Sequence, residues 1–196
     1  MKPTYRRLLI FAVSVVVVLL GYFGYRFYAA SQRGIPPEFT AARSKMSAVS
    51  AEIIVNSNDI ATSVARLGSP TSTPAEASST LGHVLDKVDE VHDQAVELSA
   101  ALETMTRDVQ NIHIAEAQQM ALQAISQRLA FVSRLVNYTD YVNRLAVAIR
   151  LHLESGAQNS DMIKQLIRQV NSEVTAANSL STQADESMAK FDSLLH

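Results

Sequence analysis

The sequence predicts an all-α protein: a single N-terminal transmembrane helix followed by an antiparallel helical bundle of about four long helices. Three observations predict it. Leu8 to Tyr25 is an apolar run that contains no charge. Beyond it, apolar residues recur at alternating spacings of three and four, and no strand-like alternation occurs. The scarce Gly and Pro residues fall mainly between these periodic stretches and divide them.

The apolar run sets the topology. Its 18 residues, rising ~1.5 Å each, give ~27 Å, enough to cross a hydrocarbon core. A helix satisfies its own backbone hydrogen bonds, which lipid cannot do for it. Lys2, Arg6 and Arg7 precede the run, and positive flanks stay in the cytoplasm. Tyr22, Tyr25 and Tyr28, with Arg26 among them, crowd the far end as an interfacial belt would. The reading is an uncleaved signal anchor in the plasma (inner) membrane, N-terminus inside and C-terminal domain outside. A removable signal peptide is the alternative, because Ala29-Ala30-Ser31 offers small residues for cleavage. Against it, the run is longer than the usual ~7–15-residue apolar region of such peptides. The domain division is then a basic cytoplasmic N-terminus (1–7), an anchor (8–30), a linker (31–37) and an extracytoplasmic bundle domain (38–196).

Composition narrows what that domain does. Four of the 17 Lys and Arg precede Ser31, which leaves 13 against all 19 Asp and Glu. This mild acidity, with no basic stripe, argues against nucleic acid as a partner. Cysteine is absent, so disulfides, thiolate metal sites and cysteine nucleophiles are excluded.

Taking the elements in order, Pro36-Pro37 stiffen the linker and Pro37 suits a first helical turn. Phe39, Ala42, Met46, Val49, Ile53, Ile60 and Leu67 mark one face of a helix over about 38–67. Asn56 and Ser63 alone interrupt it. Asn56, between Ile53 and Ile60, is the polar residue placed to fix register or oligomeric state if buried; at the rim it would bond water or Ser57. Gly68 to Pro74 is a polar turn, and Thr73-Pro74-Ala75-Glu76 reads as a capping box. The next helix, about 75–108, opens a run of ten successive apolar core positions from Leu81 to Ile112.

The phase then fails at Glu116 and Gln119, and a new stripe runs through Leu122, Ile125, Leu129, Val132, Val136, Val142, Ala146, Ile149 and Leu153. A reversal near 107–114 is favoured over a stutter in one continuous helix, with Thr106, Asp108 or Asn111 available as a cap. Gly156 ends this third helix and Asn159 or Ser160 caps the fourth, about 160–195. Its wide stripe of Ile163, Leu166, Ile167, Val170, Val174, Ala177, Leu180, Ala184, Met188 and Phe191 suits a bundle.

Chemistry-bearing motifs are few. Asp86, Asp89, Glu90, His92, Asp93 and Glu97 share helix faces, but a helical di-iron site needs two Glu-x-x-His motifs and none is present. No phosphate loop, His-Glu-x-x-His or Gly-x-Ser-x-Gly occurs. Asn137-Tyr138-Thr139 matches a glycosylation triplet, and Tyr138 and Tyr141 either line a cleft or edge the core. Neither catalytic residues nor a cofactor or metal site is expected.

The outline is similar to the four-helix sensor domains of bacterial chemoreceptors, in architecture only. Those receptors return through a second membrane helix, and this chain carries one apolar run. The expected function is a non-enzymatic structural or protein-interaction module of the cell envelope, contacting itself or another envelope protein. The resemblance implies the alternative, an accessory sensor with a small molecule between its helices.

Overall fold

The computed structural model describes residues 35–67, 73–156 and 159–195. The apolar run, with Lys2, Arg6, Arg7, Tyr22, Tyr25, Arg26 and Tyr28, lies outside the described residues. Among those described, no helix is long and apolar enough to cross a membrane.

Four helices follow one another: α1 (Pro37–Leu67), α2 (Pro74–Asp108), α3 (Ala115–Ser155) and α4 (Ser160–Ser193). No strand occurs among the described residues. Each boundary has a local cause. Pro37 opens α1, and the Pro36 carbonyl accepts from both the backbone N–H and the hydroxyl of Thr40. At α2 the capping box is complete: Thr73 Oγ1 accepts from the Glu76 N–H, while the Glu76 carboxylate accepts from the Thr73 N–H at 2.8 Å. Those bonds from Thr73 hold the Glu76 carboxyl below its ordinary range. Gly156 ends α3 with φ 63°, in the left-handed region that favours glycine.

The reversal after α2 occurs where the phase fails. Val109–Asn111 winds as a tight 3-10 turn, Ile112 and Ile114 are extended, and α3 begins at Ala115. None of the expected caps acts there. The Thr106 hydroxyl bonds back to the Leu102 carbonyl, Asp108 caps nothing, and Ile114 holds the N-cap position. Asn159 likewise stands at the N-cap of α4 but donates instead to the Ala148 carbonyl at 2.8 Å. That bond ties the turn to α3 rather than to α4.

The helices pack as two extensive antiparallel pairs, α1 with α2 and α3 with α4, joined by the lesser α2–α3 seam. Phe39, Ile53 and Ile60 from α1, Leu81, Leu98, Leu102 and Met105 from α2, and Phe191 from α4 are fully buried in one continuous core. At the far end Leu145, Ala148 and Leu166 form a satellite cluster against Val64. The outer edge between α1 and α4 closes at the opposite end, where the Phe39 and Phe191 rings lie 5.6 Å apart. Beside them Arg43 grips Asp192 through two bonds of 2.7 and 2.8 Å.

The core face of α3 is not the stripe that its leucines suggest. Ala117, Ala121, Ala124, Ile125, Phe131, Val132, Leu135, Tyr138 and Val142 are buried. Leu122, Leu129, Val136 and Leu153 are exposed, as are Ile167 and Val174 of α4. Three fully buried alanines let backbones approach closely, and a leucine cannot occupy the space they leave. The bulky neighbours are therefore rotated outward.

The αL position of Gly156 gives a direct check. No atom lies within 4 Å of where a Cβ would stand, so Gly156→Ala meets only backbone strain. It should lower stability by about 1 kcal/mol in urea denaturation, with Gly156→Asn costing less.

Candidate functional site

Several polar side chains in and around the interior bond to one another, while the buried Ser50 hydroxyl has no partner. Asn56 is 8% exposed and donates to Gln94 Oε1 at 3.2 Å; Gln94 in turn donates to Glu52 at 3.3 Å. Asn56 thus lies buried in the α1 stripe and is bonded across to α2, not to Ser57. Ser57 instead meets Tyr138, whose hydroxyl burial pushes up to about 12 although the Ser57 bond pulls the other way. Along the α3–α4 pair, Arg128 donates to Ser181 at 3.0 Å and to Asp185. Ser187 donates to Gln127 at 2.8 Å, and Arg134 reaches Glu173 at 3.4 Å.

Arg43, Arg128 and Glu173 are buried charges that heptad reading does not anticipate, because it assigns charges to outer faces. A signal for Arg128 was present. Counting Ala121, Ala124 and Leu135 as core places position 128 on the same face, so its charge requires a partner of opposite sign. Arg128 finds one in Asp185.

The acidic cluster on α2 does not converge. Asp86, Asp89, Glu90, His92 and Asp93 are exposed, and Glu97 pairs with Lys45 at 2.9 Å. Among the described residues no group of three His, Asp or Glu is placed to hold a metal. Tyr138 is buried and Tyr141 half-buried against the satellite cluster, the core-edge arrangement and not a cleft. Thr139 is buried, its hydroxyl bonded back to the Val136 carbonyl at 2.9 Å. The triplet at Asn137 therefore sits on a packed helix.

What the fold leaves uncovered is a second apolar face on α3. Leu122, Leu129, Val136, Val147 and Leu151 are 41–50% exposed. At ~100° per residue, all five fall within an arc of about 60°. Two shallow grooves flank the row. One, of ≈ 420 Å³, lies along the α2–α3 seam between Leu129 and Ser99, Glu103, Thr106 and Arg107. The other, of ≈ 470 Å³, lies between α3 and α4, where Val147 and Leu151 face Met162 over a floor of Ala148 and Leu166. The row falls into two apolar patches, Leu122, Leu129 and Val136 and then Val147 and Leu151, with the exposed Asp140–Arg144 pair between them.

Comparison with known proteins adds no relative: no family model, curated protein or solved structure matches the chain.

Two measurements probe the interior. Burial raises the Asp185 carboxyl above its ordinary 3.8, while the charge and hydrogen bond of Arg128 pull it down. The folded carboxyl holds its proton more readily than the unfolded one. Its stabilising contribution is thus full below the unfolded value and lost as pH rises through the folded one. As pH rises from the ordinary carboxylate value, urea curves should show the parent protein losing stability relative to Asp185→Asn until the folded carboxyl is fully ionised. Asn56→Leu should add roughly 1 kcal/mol, since apolar burial outweighs one neutral hydrogen bond and Gln94 keeps Glu52 and solvent. An unchanged melting temperature would mean that solvent already satisfies the Asn56 amide.

Proposed function

We propose that this chain is a membrane-tethered, non-enzymatic helical-bundle protein that serves the cell envelope as a structural or protein-interaction module. The observation that carries the reading is the uncovered apolar face of α3. A bundle that keeps five large apolar side chains turned out along one helix offers a surface for another protein to cover. The tether comes from the sequence: the charge-free run Leu8 to Tyr25 with Lys2, Arg6 and Arg7 before it.

A sensor role draws on one observation, the ≈ 470 Å³ groove beside α4, whose size falls in the range of small-molecule sites. That groove is open, and its apolar lip is the same Val147 and Leu151 that belong to the stripe. A protein surface accounts for both features at once.

Topology tests the tether. Because the chain has no cysteine, Thr4→Cys and Glu186→Cys supply single reporters on either side of the proposed span. A membrane-impermeant thiol reagent applied to intact cells should label the second and spare the first. Labelling of Thr4→Cys alone would place the bundle on the cytoplasmic side.

A further inference from the structure

We infer that Met162, on the lip of the groove between α3 and α4, is an oxidation site: a peroxide converts its thioether to a sulfoxide and makes that lip polar while the core stays closed. The oxidant has to reach the sulfur, so access decides which methionine reacts first. Five of the six methionines lie among the described residues, and their access differs widely. Met105 is fully buried, Met46 and Met188 are nearly so, and Met120 is half-buried against the core. Met162 is 54% exposed.

The place of Met162 in the fold decides what its oxidation does. It stands in the first turn of α4, directly after Asn159, whose bond to the Ala148 carbonyl ties that turn to α3. The groove beside it has the buried Ala148 and Leu166 as its floor, and Asn143, Gln165 and Gln169 add amide donors to its lining. A sulfoxide oxygen on this lip therefore has solvent and amides within the same groove to bond to. The same oxygen on Met46, Met105 or Met188 would be forced into the core, where a polar atom without a partner is costly. Oxidation at Met162 is thus a surface event.

The reaction needs hydrogen peroxide and no group from the protein besides the sulfur. The sulfur lone pair attacks one peroxide oxygen, and the S–O bond forms as the O–O bond breaks. The thioether loses two electrons to the peroxide; the departing hydroxide takes up the proton of the transferred oxygen and leaves as water. Methionine sulfoxide reductase reverses the change. Val147, Leu151 and Met162 are the large apolar side chains of this lip, so a sulfoxide places a polar group among them. The site depends on access to the sulfur and stands apart from the interaction-module reading.

Trypsin gives each methionine a peptide of its own, Met162 falling in 151–164 and Met46, Met105 and Met188 in 46–66, 88–107 and 169–190. Membranes carrying the full-length chain are treated with dilute hydrogen peroxide, which reaches both sides of a bilayer, then quenched, digested and read by mass spectrometry. Peptide 151–164 should gain one oxygen about fivefold faster, or more, than the other three. Concentrated urea should bring all four to similar rates. Methionine sulfoxide reductase added to the folded protein should remove the oxygen again. Met162→Leu should abolish the early oxidation and leave the rates at Met46, Met105 and Met188 unchanged. A Met162 rate no faster than those three would overturn the site. Faster oxidation of the buried three in the parent than in Met162→Leu would overturn the closed core. Protection of Met162 in membranes that solubilisation removes would also overturn the site, while sparing the interaction-module reading.

Discussion

A helix with two apolar faces can bury only one of them inside a four-helix bundle, and the choice that α3 makes governs the rest of the molecule. The buried face is the one with Ala117, Ala121 and Ala124, because the long stripe of α2 from Leu81 to Ile112 requires a close neighbour. Leu98, Leu102 and Met105 of α2 lie buried in the same core as those alanines. The price is that Leu122, Leu129 and Val136 turn toward solvent. In a helix whose sole task was to close a bundle, those positions would be polar. Their apolar character is what supports the proposed contact surface.

The same choice brings Arg128 inside, and with it a different kind of seam. The α1–α2 pair is held largely by large aliphatic side chains, whereas the α3–α4 pair places Arg128, Gln127 and Arg134 opposite Asp185, Ser187 and Glu173. Such pairs contribute little net stability once desolvation is counted, but removing one partner strands a buried charge. They discriminate between alignments more than they strengthen any one of them. A slip of α4 by one turn would separate three polar contacts at once.

Much of this architecture was legible before any coordinates. The capping box at Thr73 and Glu76, the glycine at 156 and the loss of phase beyond Ile112 are local signals, and local chemistry decides them. The stripes of α1 and α2 were legible because their large residues and their buried residues coincide. On α3 the two sets part company. Periodicity weighs leucine above alanine, while helices that approach closely select alanine, so Leu122, Leu129 and Val136 read as core and lie outside. The pairing of Arg43 with Asp192, and of Asn56 with Gln94, depends on which helices are neighbours. Spacing within one helix carries no record of that.

The closure at Phe39 and Arg43 bears on how the bundle responds to mechanical load. A pull applied at residue 35 meets these two side chains within the first two turns of α1. Their partners Phe191 and Asp192 sit on the last turns of α4. Tension therefore passes at once into the second hairpin, across an aromatic contact and a two-bonded ion pair loaded together. That joint links the first turns of α1 to the second hairpin directly.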